Sequence, residues 1–255
     1  MHIYLSPHHD DVCFSLANLA GRQGGHLVNL YTRSRFVEAK LELPADEAAR
    51  VETVSRLRCQ EDEHFAGAAH LVRHDLGLSE PELVGRRSFD LADLEGDVAA
   101  LSARLPPYLE TIMSGAGQSE PVNVYCPMGI GGHRNHVMTM LAIRDARAVL
   151  HRRCSLFLYE DLHYARVPRA RQVGLWRAMQ AFAGNRMSPL VMPLAPAEVE
   201  RKMQWISLYA SQFGKPPDVA DFTPASGLAP GVHEIVWRVI PVVQMRISYT
   251  FGAQR

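Results

Sequence analysis

Short apolar runs alternate with longer stretches of helical periodicity along this chain, and this alternation restricts the fold more than any other feature. The runs are rich in β-branched and aromatic residues and are too short for helices. They span residues 3–5, 26–32, 70–76, 122–126, 155–160 and 189–194. Strands that alternate with helices predict an α/β fold, in which a mainly parallel sheet carries helices on both faces.

The length of the chain fits one domain over residues 1–255. At 47% hydrophobic residues the chain can bury a full core, and it contains no internal repeat or low-complexity segment that would require a second domain. Residues 214–231 are rich in Pro, Gly, Ser and Asp, which predicts a surface loop or a lid. Residues 232–255 are expected to form C-terminal strands, as a hairpin or at the sheet edge.

The charge balance argues against several classes of partner. Lys plus Arg equals Asp plus Glu at 27 each, so no broad positive field draws the chain to nucleic acid or to an anionic membrane. No apolar run approaches the roughly 20 residues needed to span a bilayer, and no secretory signal is visible. We therefore expect a cytoplasmic protein with a small-molecule substrate. The sequence does not predict its oligomeric state.

The segment PHHDD, residues 7–11, places four ionisable side chains directly after the first apolar run. In parallel sheets, binding sites form at the carboxyl ends of the strands, where this segment lies. His8 and Asp11 stand at i and i+3 across a turn that enters a helix, so they can act as two ligands of one ion. Asp10 projects to another side, close enough to hold a water. The alternative is a polar helix start, because Asp is a favoured N-cap residue.

A second cluster, GGHRNH at residues 131–136, follows the fourth apolar run. It places His133 and His136 at i and i+3, again at the carboxyl end of a strand and at the start of a predicted helix. His136 can complete a His, Asp, His set with His8 and Asp11. His133 then remains near the open side of the ion.

This ligand set predicts a hydrolytic metal site. Three ligands drawn from imidazole and carboxylate suit a catalytic zinc ion, which keeps a position open for water. Zinc lowers the pKa of bound water from about 15.7 toward roughly 7. Asp10 is the natural general base, and it can return the proton to a leaving amine. A protonated His133 would stabilise the oxyanion together with the ion.

In order and spacing these motifs resemble the PIG-L or LmbE-like zinc-dependent N-deacetylases. The signature of that family is a [A/S]-H-P-D-D-like turn near the N-terminus and a later H-x-x-H, which stand here as SPHHDD and HRNH. Three further stretches are similar to family segments, and the resemblance covers roughly residues 1–212. These stretches are RCQED at 58–62, YEDLHYA at 159–165 and KMQWISLYASQ at 202–212.

The resemblance implies a Rossmann-like α/β fold and the hydrolysis of an N-acyl group, commonly acetyl, from a glucosamine-type sugar or related conjugate. It implies Zn²⁺ as the cofactor, with His8, Asp11 and His136 as its ligands. By position, Asp10 matches the general base and His133 the histidine on the oxyanion side.

The chain departs from the family pattern at three positions. His9 replaces the usual proline and Val12 the frequent glutamate, which bears on substrate shape more than on the metal. Gly131 stands where some members carry a tyrosine that assists the oxyanion, so more of that role would pass to His133 or Tyr125.

Several residues are candidates for substrate contacts. Arg58 matches an arginine that helps to hold the substrate in some members, although an ion pair with Glu61 on the same helix is an equal alternative. Tyr125 is a further candidate. The segment at 159–165 supplies candidates for contacts to substrate hydroxyl groups or for support of a ligand histidine: Glu160, Asp161 and His163.

Other functions remain open at the level of sequence. A metal-dependent phosphoesterase is one, since His and Asp clusters also hold ions for phosphoryl transfer, although such sites usually have two metals and more carboxylates. Hydrolysis of a non-sugar amide is another. A nucleotide-binding module is disfavoured, because the chain has neither G-x-G-x-x-G after its first strand nor G-x-x-x-x-G-K-[ST].

Overall fold

The described part of the chain forms a sheet of seven strands in the order β3-β2-β1-β4-β5-β7-β6. The computed structural model describes residues 1–115, 120–150 and 154–242. Strands β1 to β5 pair in parallel, whereas β7 pairs antiparallel with both β5 and β6. The strands are β1 (His2–Ser6), β2 (Gly25–Asn29), β3 (Leu71–Asp75), β4 (Val122–Pro127), β5 (Cys154–Tyr159), β6 (Asn185–Pro193) and β7 (His233–Pro241).

Within these described ranges, six α-helices connect and cover the strands. They are α1 (Asp11–Gln23), α2 (Glu47–Ala68), α3 (Leu94–Met113), α4 (Arg134–Leu150), α5 (Pro168–Ala181) and α6 (Pro196–Ile206). The chain moves from β1 to β2 to β3 in one direction and returns to β4 and β5 on the other side of β1. Right-handed crossovers therefore place α1 and α2 on one face of the sheet and α3 and α4 on the other. Contacts between α3 and α4, and between α1 and α6, agree with this arrangement.

The structure confirms the predicted single-domain α/β fold with a mainly parallel sheet. Each of the six predicted runs contains or overlaps a strand. The central strands are buried, with Ile3, Tyr4 and Leu5 of β1 fully inaccessible to solvent. This burial follows from helices on both faces, which leave no solvent side for the central strands.

The C-terminal part differs in detail from the prediction. β7 is not an edge strand but lies between β5 and β6, so β6 forms that edge. Residues 243–255 of the predicted strand region lie outside the described residues. Within the predicted loop at 214–231 the chain forms a short 3-10 helix, Val219–Phe222. Whether this loop acts as a lid stays a prediction.

The sheet order determines where a site can form. The strand order reverses at β1 and β4, which are direct neighbours, and the carboxyl ends of these two strands lead into the PHHDD and GGHRNH segments. In open α/β sheets ligands bind at such a reversal point. No helix in the described part of the chain is long and apolar enough to cross a bilayer.

Candidate active site

The turn after β1 brings an imidazole and a carboxylate side by side. The backbone N–H of His8 donates to Oδ2 of Asp11 at 2.7 Å, and His8 Nδ1 lies 3.1 Å from the same oxygen. Asp10 occupies the N-cap position of α1 but makes no side-chain capping bond. Its carboxylate lines the cavity above this turn. Asp11 therefore stabilises the turn, while Asp10 is available for chemistry.

The second cluster joins the first through His136. A glycine-rich turn follows β4, and α4 begins at Arg134, so His136 lies in the first turn of the helix. His136 Nε2 is 3.3 Å from His8 Nδ1 and 3.3 Å from Oδ1 of Asp11. The three side chains named by the sequence thus converge on one point, although 128 positions separate His8 from His136.

These donor atoms fit a zinc ion. Ligand bonds of about 2.0–2.1 Å in a tetrahedral arrangement place neighbouring donor atoms about 3.3 Å apart. The observed separations among His8, Asp11 and His136 are 3.1 to 3.3 Å. All three side chains are buried, so little water competes for the donors. The residues present therefore fit the divalent cation that the family resemblance implies.

Asp161 holds His136 in the orientation that a ligand needs. His136 Nδ1 lies 2.7 Å from Asp161 Oδ1, and Oδ2 of Asp161 accepts the backbone N–H groups of Met128 and Ile130 at 3.1 and 2.8 Å. Burial alone would lower the pKa of His136, but the nearby carboxylates of Asp11 and Asp161 raise it to about 9. A carboxylate behind a ligand histidine fixes the ring and its tautomer.

Asn135 supports the other histidine. Its side-chain amide lies 3.0 Å from His8 Nε2. The atom that faces Nε2 is the amide nitrogen; if Nδ1 of His8 is to be a ligand, Nε2 must carry the hydrogen, and the amide must turn to present its oxygen as the acceptor. Burial, followed by the charges of His136 and Arg58, lowers the pKa of His8 well below its usual value. His8 is therefore neutral, the form in which a histidine binds a metal, whereas His136 would give up a ring proton when a cation binds.

Asp10 is held by a buried arginine. Arg58 donates to Asp10 Oδ2 at 3.3 Å and to Glu80 Oε1 at 2.8 Å, and it also donates to the hydroxyl of Ser34 at 3.0 Å. The alternative pair with Glu61 does not form, because Glu61 accepts from the backbone and hydroxyl of Ser211 instead. Arg58 lies in the cavity wall, but its charge is directed at carboxylates of the protein, and its contact with a substrate stays a prediction.

His133 lies beside the cluster, as the sequence predicts. Its ring meets that of His8 edge to face, with centroids 4.8 Å apart, and it lines the cavity. Burial, and then the neighbouring His8 and His136, lower its pKa to about 2. The expectation of a protonated His133 is therefore wrong. Within the described residues its Nδ1 is buried without a hydrogen-bond partner, while the residue itself lines the cavity as a neutral imidazole.

Two predicted substrate contacts do not lie in the site. Tyr125 packs between Tyr4 and Phe157, at ring-centroid distances of 4.8 and 5.1 Å, and its hydroxyl lies 3.2 Å from His2 at the amino end of β1. The ring extends along the sheet away from the carboxyl edge.

Glu160 is also directed away from the cavity. Its carboxylate pairs with Arg171 at 2.6 and 2.7 Å and accepts the indole N–H of Trp237 at 3.0 Å. It is a structural ion pair, because both oxygens are used by the protein. Of the neighbouring candidates, Asp161 supports His136, and His163 lines the cavity.

A third group of ligand-type side chains lies behind the turn. His9 points away from the proposed metal position, with Nε2 4.0 Å from Asp75 Oδ1, and Asp62 lies nearby. The amide of Asn29 already donates to both carboxylates at 2.6 and 3.1 Å, and Arg73 lies 3.3 Å from Asp75. These groups compensate the two acids, so we assign no metal there.

Tyr164 explains the glycine at position 131. Gly131 has φ = +86°, and a Cβ there would collide with the ring of Tyr164. Tyr164 lines the cavity, and its ring centroid is 5.8 Å from that of His136. An aromatic side chain from a different segment therefore occupies the space beside Gly131.

The cavity above the cluster has a volume of about 460 Å³. This volume lies in the range of small-molecule sites. Sequence reasoning missed four residues of the site: Ser34, Glu80, Asn135 and Tyr164. Asn135 and Tyr164 carried a signal, since they lie inside HRNH and YEDLHYA, whereas Ser34 and Glu80 reach Arg58 from loops without any motif.

Comparison with known proteins gives structural matches only. No protein-family model matches the chain, and no curated protein matches it at a significant level. Solved structures do match over nearly the whole chain. The A40926 pseudoaglycone deacetylase Dbv21 is 21% identical and covers 95% of this chain and 98% of its own, with a TM-score of 0.66.

Two further structures define what the fold can host. The zinc-inhibited form of the teicoplanin deacetylase Orf2 is 20% identical over 95% of this chain and 99% of its own, with a TM-score of 0.65. The 4-carboxy-2-hydroxymuconate hydratase GalB from Pseudomonas putida is 13% identical over 97% and 99%, with a TM-score of 0.55. The chain shares the fold of these deacetylases, and the same fold also occurs in a hydratase.

Proposed function

We propose that this chain is a zinc-dependent N-deacylase that removes an acyl group, most simply acetyl, from an amino sugar or glycoconjugate. The observation that carries this proposal is the convergence of His8, Asp11 and His136 within 3.1 to 3.3 Å, with Asp10 in the cavity wall beside them. The two deacetylases of the same fold support it. Because a hydratase has the same fold, the fold alone does not identify the reaction, and the proposal depends on the residues of the site.

The residues of the chain have separate roles in this reaction. His8, Asp11 and His136 would hold the ion, which when bound supplies Lewis acidity that makes water a nucleophile at neutral pH. Asp10 accepts the proton of the attacking water and returns it to the nitrogen of the leaving amine. Arg58 holds the carboxylate of Asp10 in place. His133, a neutral imidazole, donates an N–H to the carbonyl oxygen as negative charge develops there.

A phosphoesterase is less well supported. Such enzymes usually use two metals, and in the other candidate group of the described residues, His9 with Asp62 and Asp75, both carboxylates already accept hydrogen bonds from Asn29 and only His9 Nε2 has no partner. Hydrolysis of a non-sugar amide uses the same residues and differs only in the substrate. The cytoplasmic location expected from the sequence stays a prediction.

The test is release of free amine from a panel of N-acetylated sugars and glycosides, with zinc-loaded and chelator-treated protein. We expect activity that chelation abolishes and zinc restores, with one zinc per chain. Asp10→Ala should retain the zinc and lose nearly all turnover, whereas His136→Ala should lose both. Full activity of Asp10→Ala would rule out the proposed base, and two metals per chain with phosphoester cleavage would favour the rival function.

A further inference from the structure

The cavity wall beside Asp10 is aromatic. Phe14, one turn into α1, packs against Phe222 and Phe213 with ring centroids 5.0 and 5.7 Å apart, and Phe213 and Phe222 are 6.0 Å from each other. Phe14 and Phe222 are buried, and all three side chains line the cavity. They form a rigid apolar wall directly beside the proposed base.

Two more phenylalanines stand exposed in the same cavity. Phe89 is 61% exposed and meets the ring of His133 edge to face at 5.2 Å, while Phe36 is 53% exposed. Folding gains little from a phenyl ring left in water, so exposed aromatic side chains in a cavity indicate contact with a ligand. We refer to Phe36 and Phe89 as the aromatic mouth.

The charged groups of the cavity are mostly negative. Two guanidinium groups, those of Arg58 and Arg166, face six carboxylates, so a divalent cation would leave the cavity net negative. The carboxylates belong to Asp10, Asp11, Glu38, Glu80, Glu82 and Asp221.

Neither guanidinium is available to a ligand anion. Arg58 is engaged with Asp10 and Glu80, and Arg166 lies 2.6 Å from Asp221. Across residues 1–115, 120–150 and 154–242, Glu38 and Glu82 take part in no ion pair. A phosphate or carboxylate on the substrate would therefore meet repulsion without a matching cation.

We propose that the amino sugar processed here carries an uncharged apolar group, best an aromatic one, and that phosphorylated and nucleotide-linked amino sugars are rejected. This inference rests on the proposed function, because the acyl group must sit beside His8, Asp10 and Asp11 for the remainder to extend outward. The remainder then reaches the aromatic mouth, where an aryl ring can pack on Phe36 and Phe89. A cavity of about 460 Å³ has room beyond a single sugar ring.

Three substrates with the same sugar separate the effect of an aromatic group from the effect of a negative charge. They are phenyl N-acetyl-β-D-glucosaminide, methyl N-acetyl-β-D-glucosaminide and N-acetylglucosamine 1-phosphate, assayed for amine release with the zinc-loaded protein. We expect kcat/KM for the phenyl glycoside to exceed that for the methyl glycoside by about tenfold or more. We expect kcat/KM for N-acetylglucosamine 1-phosphate to be lower than that for the methyl glycoside by about tenfold or more, and we expect this difference to become smaller at high salt.

Variants test whether the aromatic mouth causes the preference for the phenyl glycoside and whether Glu82 contributes to rejection of the sugar phosphate. Phe36→Ala and Phe89→Ala should each lower the ratio of kcat/KM for the phenyl glycoside to kcat/KM for the methyl glycoside toward one. Glu82→Gln should bring kcat/KM for the sugar phosphate closer to that for the methyl glycoside. Trp176→Ala is the matched control, because Trp176 is 63% exposed on α5 and is not among the residues that line the cavity in the described part of the chain. It should leave both ratios unchanged.

The outcomes distinguish this inference from the function on which it rests. Hydrolysis of the methyl glycoside with no preference for phenyl, or with equal use of the phosphate, would overturn the inference and leave the deacylase function intact. An equal loss of the ratio in Trp176→Ala would overturn the assignment to Phe36 and Phe89. Failure of every N-acetylated substrate in the presence of zinc would overturn both proposals.

Discussion

Replacing Asp161 by asparagine should weaken metal binding, although Asp161 is not itself a proposed ligand. Its Oδ1 lies 2.7 Å from Nδ1 of His136, and its Oδ2 accepts two backbone N–H groups, those of Met128 and Ile130. All three partners of the carboxylate are therefore donors. An asparagine side chain offers one acceptor oxygen and one NH₂ group, so it cannot serve them all.

Each orientation of the new amide has a distinct cost. If its oxygen faces the backbone groups, its NH₂ faces Nδ1 of His136, and the ring hydrogen is driven to Nε2, which is the proposed ligand atom. If its oxygen faces His136, the backbone N–H of Ile130 loses its acceptor, at about 1–3 kcal/mol for a buried donor left unpaired, whereas the N–H of Met128 keeps the carbonyl oxygen of Tyr159 at 3.0 Å. Loss of such a supporting partner typically lowers metal affinity 10- to 100-fold, about 1.4 to 2.7 kcal/mol.

The assay is competition for zinc between the protein and a chromophoric chelator, combined with urea unfolding of the metal-free protein. We expect Asp161→Asn to lose 10- to 100-fold in zinc affinity. Glu160→Gln is the matched control: Glu160 is buried next in sequence, but its carboxylate binds Arg171 and Trp237. That variant should lose stability and keep its zinc affinity. Zinc affinity equal to wild type in Asp161→Asn would refute the reasoning.

Three further perturbations test other parts of the account. In Glu80→Gln, Asp10 becomes the main carboxylate partner of Arg58. The guanidinium charge then stabilises the carboxylate of Asp10 more strongly and makes Asp10 a weaker general base, so kcat should fall roughly tenfold, while zinc content by metal analysis stays at wild-type level. Burial raises the pKa of Asp62 from 3.8 to about 7, so the folded state holds this proton more tightly than the unfolded state. The free energy of unfolding should therefore fall as pH rises from about 4 to about 7, by at most about 4 kcal/mol, and urea titrations should show a smaller fall in Asp62→Asn; equal slopes would contradict this. Gly131→Ala places a Cβ against Tyr164 at positive φ and should cost about 1–3 kcal/mol, seen as a lower Tm; an unchanged Tm would contradict the described packing.

The proposed ligands could be predicted because two local rules act together. Each motif directly follows a strand-like run, and parallel strands bring their carboxyl ends to one edge of the sheet. Spacing of three residues within each motif then brings His8 to Asp11 and His133 close to His136. These rules do not depend on details of packing, so they hold without knowledge of the structure.

The errors and omissions involve contacts that such rules do not reach. Tyr125 lies within β4, and the direction of its ring is set by stacking on Tyr4 and Phe157 across neighbouring strands. Glu80 reaches Arg58 from a loop, and no spacing in the sequence relates the two. The neutral state of His133 results from its burial, which the sequence does not show.

The central claim is that one divalent cation binds between His8, Asp11 and His136. A crystal structure of the zinc-loaded protein, with anomalous diffraction recorded at the zinc edge, tests it most directly. The account predicts one strong peak about 2.0–2.2 Å from His8 Nδ1, an oxygen of Asp11 and His136 Nε2. A peak between His9, Asp62 and Asp75 instead, or the absence of any peak at His8 in fully loaded protein, would contradict it.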